Sequence, residues 1–134
     1  MDDAPRQLGV YLHLAQASLR RNRPLVRSRL LLLAAVAAAN SHLPGVAGYC
    51  RRAILAQNPQ HLIRQWPSVG QALLDDEFLQ FLRQVRRRYP AEKAEQMLAS
   101  LGMDMAHERE AYFSDVEYAA AILGVAVADL QLDD

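Results

Sequence analysis

The sequence predicts an all-α fold, a single irregular bundle of about six or seven helices around one buried central helix, Leu30–Ala39. Three observations carry this. Apolar residues recur at spacings of three and four along most of the chain. Prolines, glycines and capping residues interrupt these runs often enough to make corners rather than long rods. No stretch of useful length alternates apolar with polar residues, and no hairpin turn is signalled. With 134 residues, 51% hydrophobic and 22% charged, the chain is expected to bury one core as a single domain, 1–134. That composition excludes disordered and collagen-like chains.

The first helix is predicted from about Pro5 to Arg21, with Leu8, Leu12, Ala15 and Leu19 on its inward stripe. Asn22 and Arg23 break it, and Pro24 opens a second helix at the position where its missing N–H is harmless. The body of that helix, Leu30–Ala39, is apolar on every side, which fits a helix surrounded by neighbours. At ten residues it is half of the roughly 20 that a membrane span needs. Asn40, Ser41, Pro44 and Gly45 form the next breaker, followed by a helix over Val46–Gln57 with Cys50 and Ile54 inward and Arg51 and Arg52 outward. Pro59 starts a short element ending at Trp66 and Pro67. Ser68 caps another, through Ala72 and Leu74.

The helix from Asp75 or Asp76 to Arg88 sets Phe78, Phe81, Leu82, Val85 and Tyr89 on one face. Its acids at the start and arginines at the end match the helix dipole. Pro90 begins a helix striped by Ala94, Met97, Leu98 and Leu101 and stopped by Gly102. Asp104 opens a turn or two reaching Tyr112. Ser114 and Glu117 form a capping box for a helix that stops at Gly124. The tail from Val125 adds one further turn.

Site chemistry is sparse. His13, His42, His61 and His107 have no metal-ligand spacing, and one cysteine excludes a disulfide framework or a cysteine-rich zinc site. Cys50 shares a stripe with Ala53 and Ile54, so it reads as core rather than nucleophile. No phosphate-binding glycine loop or nucleophile elbow occurs. Asp75, Asp76 and Glu77 are explained by their place at a helix start. Ala120, Gly124 and Leu130 have helix-turn-helix spacing, but the recognition helix would carry Asp129, Asp133 and Asp134 and no cation, the wrong sign for DNA. No enzyme, cofactor or metal site is therefore expected. No targeting or lipidation signal is read, and a cytoplasmic protein is the expectation.

Charge is the one feature that stands out. Residues 1–74 hold nine arginines against Asp2 and Asp3, and residues 75–134 hold thirteen acids against six cations. Within one bundle the two halves can pack together, which would place Arg51, Arg52 or Arg64 near Asp75, Glu92, Glu95 or Glu108. Arg20, Arg21, Arg23, Arg27 and Arg29 crowd the first corner. If the fold gives them no acid, their field is open to an anionic partner.

The expected function is a non-catalytic interaction or adaptor module, acting on another protein or on a second copy of itself. Trp66, Tyr89 and Tyr112 are candidate anchors, by the aromatic bias of interface hot spots. Trp66, beside Pro67 at a corner, fits the core equally well. The alternative is binding of nucleic acid or an anionic surface through the arginine corner. It is disfavoured because residues 20–48 contain no Phe or Trp and no Tyr to stack on bases. An enzyme with an unfamiliar site is the remaining reading.

Overall fold

A computed structural model describes residues 4–105 and 107–131. Among them are seven α-helices, three 3-10 turns and no strand. The helices are α1 (Ala4–Arg20), α2 (Pro24–Asn40), α3 (Pro44–Gln57), α4 (Val69–Ala72), α5 (Asp76–Arg88), α6 (Ala91–Ser100) and α7 (Asp115–Leu123). The turns are Leu62–Gln65, Arg109–Ala111 and Val127–Leu130.

The all-α bundle around a central helix is what the sequence predicts. Every residue from Leu30 to Ala38 is buried, and α2 packs against α1, α3, α4 and α5. Proximity to α2 follows from its alanines, whose small side chains let neighbouring backbones approach. One continuous apolar cluster joins α1, α2 and α3 to Phe78, Leu82, Val85, Ala94, Leu98, Ala120 and Leu130.

The two corners that frame α2 are alike. At the first, Arg23 N–H donates to Ser18 O and Asn22 N–H to Leu19 O, with Asn22 at φ 55°. At the second, Leu43 N–H donates to Ala38 O and His42 N–H to Ala39 O, with His42 at φ 60°. Both are Schellman endings in which a non-glycine residue takes the left-handed position, and in both a proline then opens the next helix.

Side chains cap the starts of α4, α5 and α7. Ser68 Oγ accepts from Gln71 N–H, Asp75 Oδ1 from Glu77 N–H and Ser114 Oγ from Glu117 N–H. The expected capping box at Ser114 is shifted by one residue, because Glu117 accepts from Phe113 N–H instead of Ser114 N–H.

Several inward assignments change. Leu19 stands exposed in the last turn of α1, and α4 stops at Ala72, leaving Leu74 outside. Arg51 is half-buried and donates to the Trp66 carbonyl at 2.8 Å. After Gly124, in the left-handed conformation, only the short Val127–Leu130 turn follows. The last three residues of the proposed recognition helix, 132–134, lie outside the described residues. No helix among the described residues is long and apolar enough to cross a membrane.

Candidate functional site

The arginine corner is the strongest candidate surface. Residues 19–25, Leu-Arg-Arg-Asn-Arg-Pro-Leu, are exposed without interruption. The Schellman geometry at Asn22 turns the chain between α1 and α2 and projects this segment from the end of the bundle. Two large apolar side chains here are open to solvent, Leu19 at 51% and Leu25 at 68% of their full exposure.

Beside the corner lies a groove between α1, α2 and α6. One hollow, of about 230 Å³, is lined by Leu14, Ala17, Val26, Met97 and Leu101, with Arg21 and Arg23 at its rim. A second, of about 330 Å³, shares Ala17, Arg21 and Leu101 and adds Arg20 and Met103. No acid lines either hollow. Their size sits at or below the lower end of the roughly 300–1,000 Å³ that drug-sized ligands occupy. They suit individual side chains of a partner better than an enclosed small molecule.

Of the five predicted arginines, Arg20, Arg21 and Arg23 are brought together on this rim. Arg27 turns toward α3, where Nη1 donates to Gln57 Oε1 at 3.4 Å and Nε is shut off from solvent without an acceptor. Arg29, half-buried, does not line the groove. None of the five forms an ion pair with an acid among the described residues. The two charge halves instead meet elsewhere. Arg6 Nε pairs with Glu95 Oε1 at 2.6 Å, and His13 Nε2 is hydrogen-bonded to Glu108 Oε1 at 2.6 Å. Arg51, Arg52 and Arg64, the expected partners of second-half acids, make no such pair among the described residues.

The aromatic anchors fare differently. Trp66 belongs to the core: it is buried, its Nε1–H donates to Asp75 Oδ2 at 3.0 Å, and its ring meets Phe78 edge-on. As an exposed anchor it is therefore withdrawn. The indole bond and the Glu77 N–H hold the Asp75 carboxyl below its usual pKa. Tyr89 is half-buried under the Lys93 ammonium, and its carbonyl accepts from the Tyr11 hydroxyl at 2.7 Å. Tyr112 is half-buried against the Tyr118 ring, 5.5 Å between centroids. Both spend most of their apolar surface inside the fold.

A polar cluster that sequence reasoning missed joins α1 to α7. Besides the His13–Glu108 pair, Arg109 donates to Asp115 Oδ1 and to the Tyr112 carbonyl, each at 2.7 Å. Burial, and then the nearby Glu108 carboxylate, pushes the Tyr118 hydroxyl well above its usual pKa. That hydroxyl is buried without a well-aligned hydrogen-bond partner. Gln16 reaches the last carbonyls of α7 at 3.3 and 3.4 Å. These groups bind one another across the seam, so their chemistry is that of a polar tie between helices.

Cys50 is buried, and desolvation pushes its thiol up to about 12 despite the nearby Arg27 and Arg52. At neutral pH it is a core thiol and no nucleophile. No group of three His, Cys, Asp or Glu side chains among the described residues is placed to hold a metal ion. Leu74 at 80% and Phe113 at 98% exposure are apolar residues beyond the predicted anchors. Each stands in its own loop, and single exposed apolar residues are common on protein surfaces. No family model matches the chain, and neither a curated protein nor a solved structure does.

Proposed function

We propose that this protein is a non-catalytic interaction module that docks a protein partner on the α1–α2 corner. The observation that carries the reading is the coincidence in one seven-residue segment of exposed Leu19 and Leu25 with Arg20, Arg21 and Arg23, which form no ion pair among the described residues. Exposed leucines cost solubility and stabilise nothing inside the fold, while unopposed arginines repel one another. Both become favourable when a partner covers the leucines and supplies the acids.

The test is site-specific photocrosslinking in the protein's native host, with the photoreactive residue at Leu25 or, as control, at exposed Gln84 on α5. A discrete adduct from position 25, absent from position 84 and lost when Arg20, Arg21 and Arg23 become Gln, supports the module. Equal adducts from both positions, or none from position 25, would refute it. Sizing over a concentration series then tells whether the adduct is a second copy.

The reading that follows from the arginines alone is binding of nucleic acid or an anionic surface. Their lack of acidic partners favours it, and the exposed leucines argue for a partner that also offers apolar side chains.

A further inference from the structure

We infer that the groove beside the corner receives an acidic amphipathic helix of the partner, laid between α1 and α6 with its acids facing Arg20, Arg21 and Arg23. This rests on the interaction-module reading and adds the chemistry and shape of the occupant.

Four observations converge on it. The groove is concave, and its lining runs from the buried Leu14 and Ala17 on α1 to Leu101 at the end of α6. A helix can place side chains into such hollows, whereas a flat membrane meets only the rim. Apart from the arginines and Ser18 and Ser100, the lining is aliphatic and thioether, with no aromatic ring. Bases of a single-stranded nucleic acid would find nothing to stack on there. Met97 and Met103 supply unbranched, polarizable side chains that adapt to a helix face, as in other helix-receiving surfaces.

Charge completes the argument. Three guanidiniums line the hollows at the corner end, and among the described residues no carboxylate lines either hollow. Acids do occur farther along the α1–α6 seam, at Glu95 and Asp104, beside Arg6. The seam is thus positive at the corner and mixed beyond it. An incoming helix with acids at one end is thereby given a direction as well as a place. Its apolar residues at i, i+3, i+4 and i+7 would enter the two hollows, which share Ala17, Arg21 and Leu101 and so form one track.

The experiment uses the full chain and a synthetic peptide of about 16 residues, long enough as a helix to cover the track. The peptide carries Leu at i, i+3, i+4 and i+7 and Glu clustered at one end. Controls are a scrambled peptide of identical composition and one with Lys in place of Glu. Fluorescence anisotropy of the labelled peptide reads affinity, and amide chemical-shift perturbation reads the site.

The expected result is binding of the acidic amphipathic peptide at least tenfold tighter than the scrambled one, and no binding of the Lys version. Shifts should fall on residues of α1, α2 and α6 that line the groove, and affinity should drop with added salt. The combined Arg20→Gln, Arg21→Gln and Arg23→Gln variant should weaken binding at least tenfold. Ala17→Met, which fills both hollows, should weaken it while leaving the helical circular dichroism intact.

Equal binding of the scrambled peptide would overturn the helix and leave only charge attraction. Binding of phosphatidylserine vesicles or mixed-sequence single-stranded DNA through the same arginines, without peptide binding, would overturn it in favour of an anionic surface. If no peptide binds while position 25 still yields its discrete adduct, the helix falls and the module stands. If the adduct fails too, both fall.

Discussion

Replacing Phe78 by alanine tests the packing that joins α5 to the rest of the bundle. Phe78 has no exposed surface, and its ring centroid lies 5.3 Å from that of Trp66 with the planes at 72°. Removing the ring forfeits about 1.5–3 kcal/mol of transfer free energy. The edge-to-face contact contributes a further ~0.5–1.5 kcal/mol. The void left behind adds its own term, and such substitutions cost about 3–5 kcal/mol in all. The better helix propensity of alanine offsets at most about 0.7 kcal/mol. Against a typical stability of about 5–15 kcal/mol the variant should fold, with far less margin. Urea denaturation followed by circular dichroism and by the emission of Trp66, the only tryptophan, should show a midpoint lowered by more than about 1 M at unchanged slope. Before unfolding, the emission should stay blue, because an apolar void remains dry. A loss below about 1 kcal/mol, or red emission while the helices persist, would show that the ring is not enclosed as described.

Other outcomes follow from the same structure. Gly9→Ala places a Cβ 3.0 Å from a ring carbon and 3.2 Å from the hydroxyl of the buried Tyr118, whereas Met105 Cε, at 2.7 Å, is the end of a flexible side chain that can swing aside. Overpacking of about 1–3 kcal/mol should outweigh a propensity gain of about 1 kcal/mol, giving a lower melting temperature. Ser114→Ala removes the cap of α7 and should cost about 1 kcal/mol in denaturant unfolding, with Ser114→Gly closer to wild type. Cys50 should resist a thiol-specific disulfide reagent at pH 8 in the native protein and react fully in denaturant. Because burial raises its pKa from 9.0 to about 12, the unfolded thiol ionises first as pH rises. Stability should therefore fall above about pH 9, and Cys50→Ala should lessen that fall.

What was legible in the sequence was local. Caps at Ser68, Asp75 and Ser114 and stops at Gly102 and Gly124 act within a few residues of themselves, so a string of letters displays them. The burial of α2 was legible as well, because ten consecutive apolar residues leave no face for water. Leu19 was misplaced because a stripe records periodicity and cannot record where the neighbouring helix ends. Trp66 was undecided because its partner Asp75 and its neighbour Phe78 arrive from beyond a corner. The arginines of the candidate site were visible as a cluster. The groove was not, since Met97 and Leu101 come from a helix some seventy residues downstream of the corner. His13 and Glu108 lie 95 residues apart, and no spacing rule connects them.

The uniform burial of Leu30–Ala38, the body of α2, has a consequence for how the bundle chooses one arrangement. A helix with a wet side and a dry side is oriented by that contrast, whereas a rotation of α2 about its axis would exchange one apolar surface for another. Orientation must then come from shape. Leu30–Leu33 make the first half of the rod wide, and Ala34, Ala35, Ala37 and Ala38 make the second half narrow. The rod is a taper, and the two left-handed corners at Asn22 and His42 hold its ends. Exchanging leucines and alanines along it would conserve hydrophobicity and helix content yet erase the key from the lock. Such a chain would stay helical and collapsed without settling on one packing.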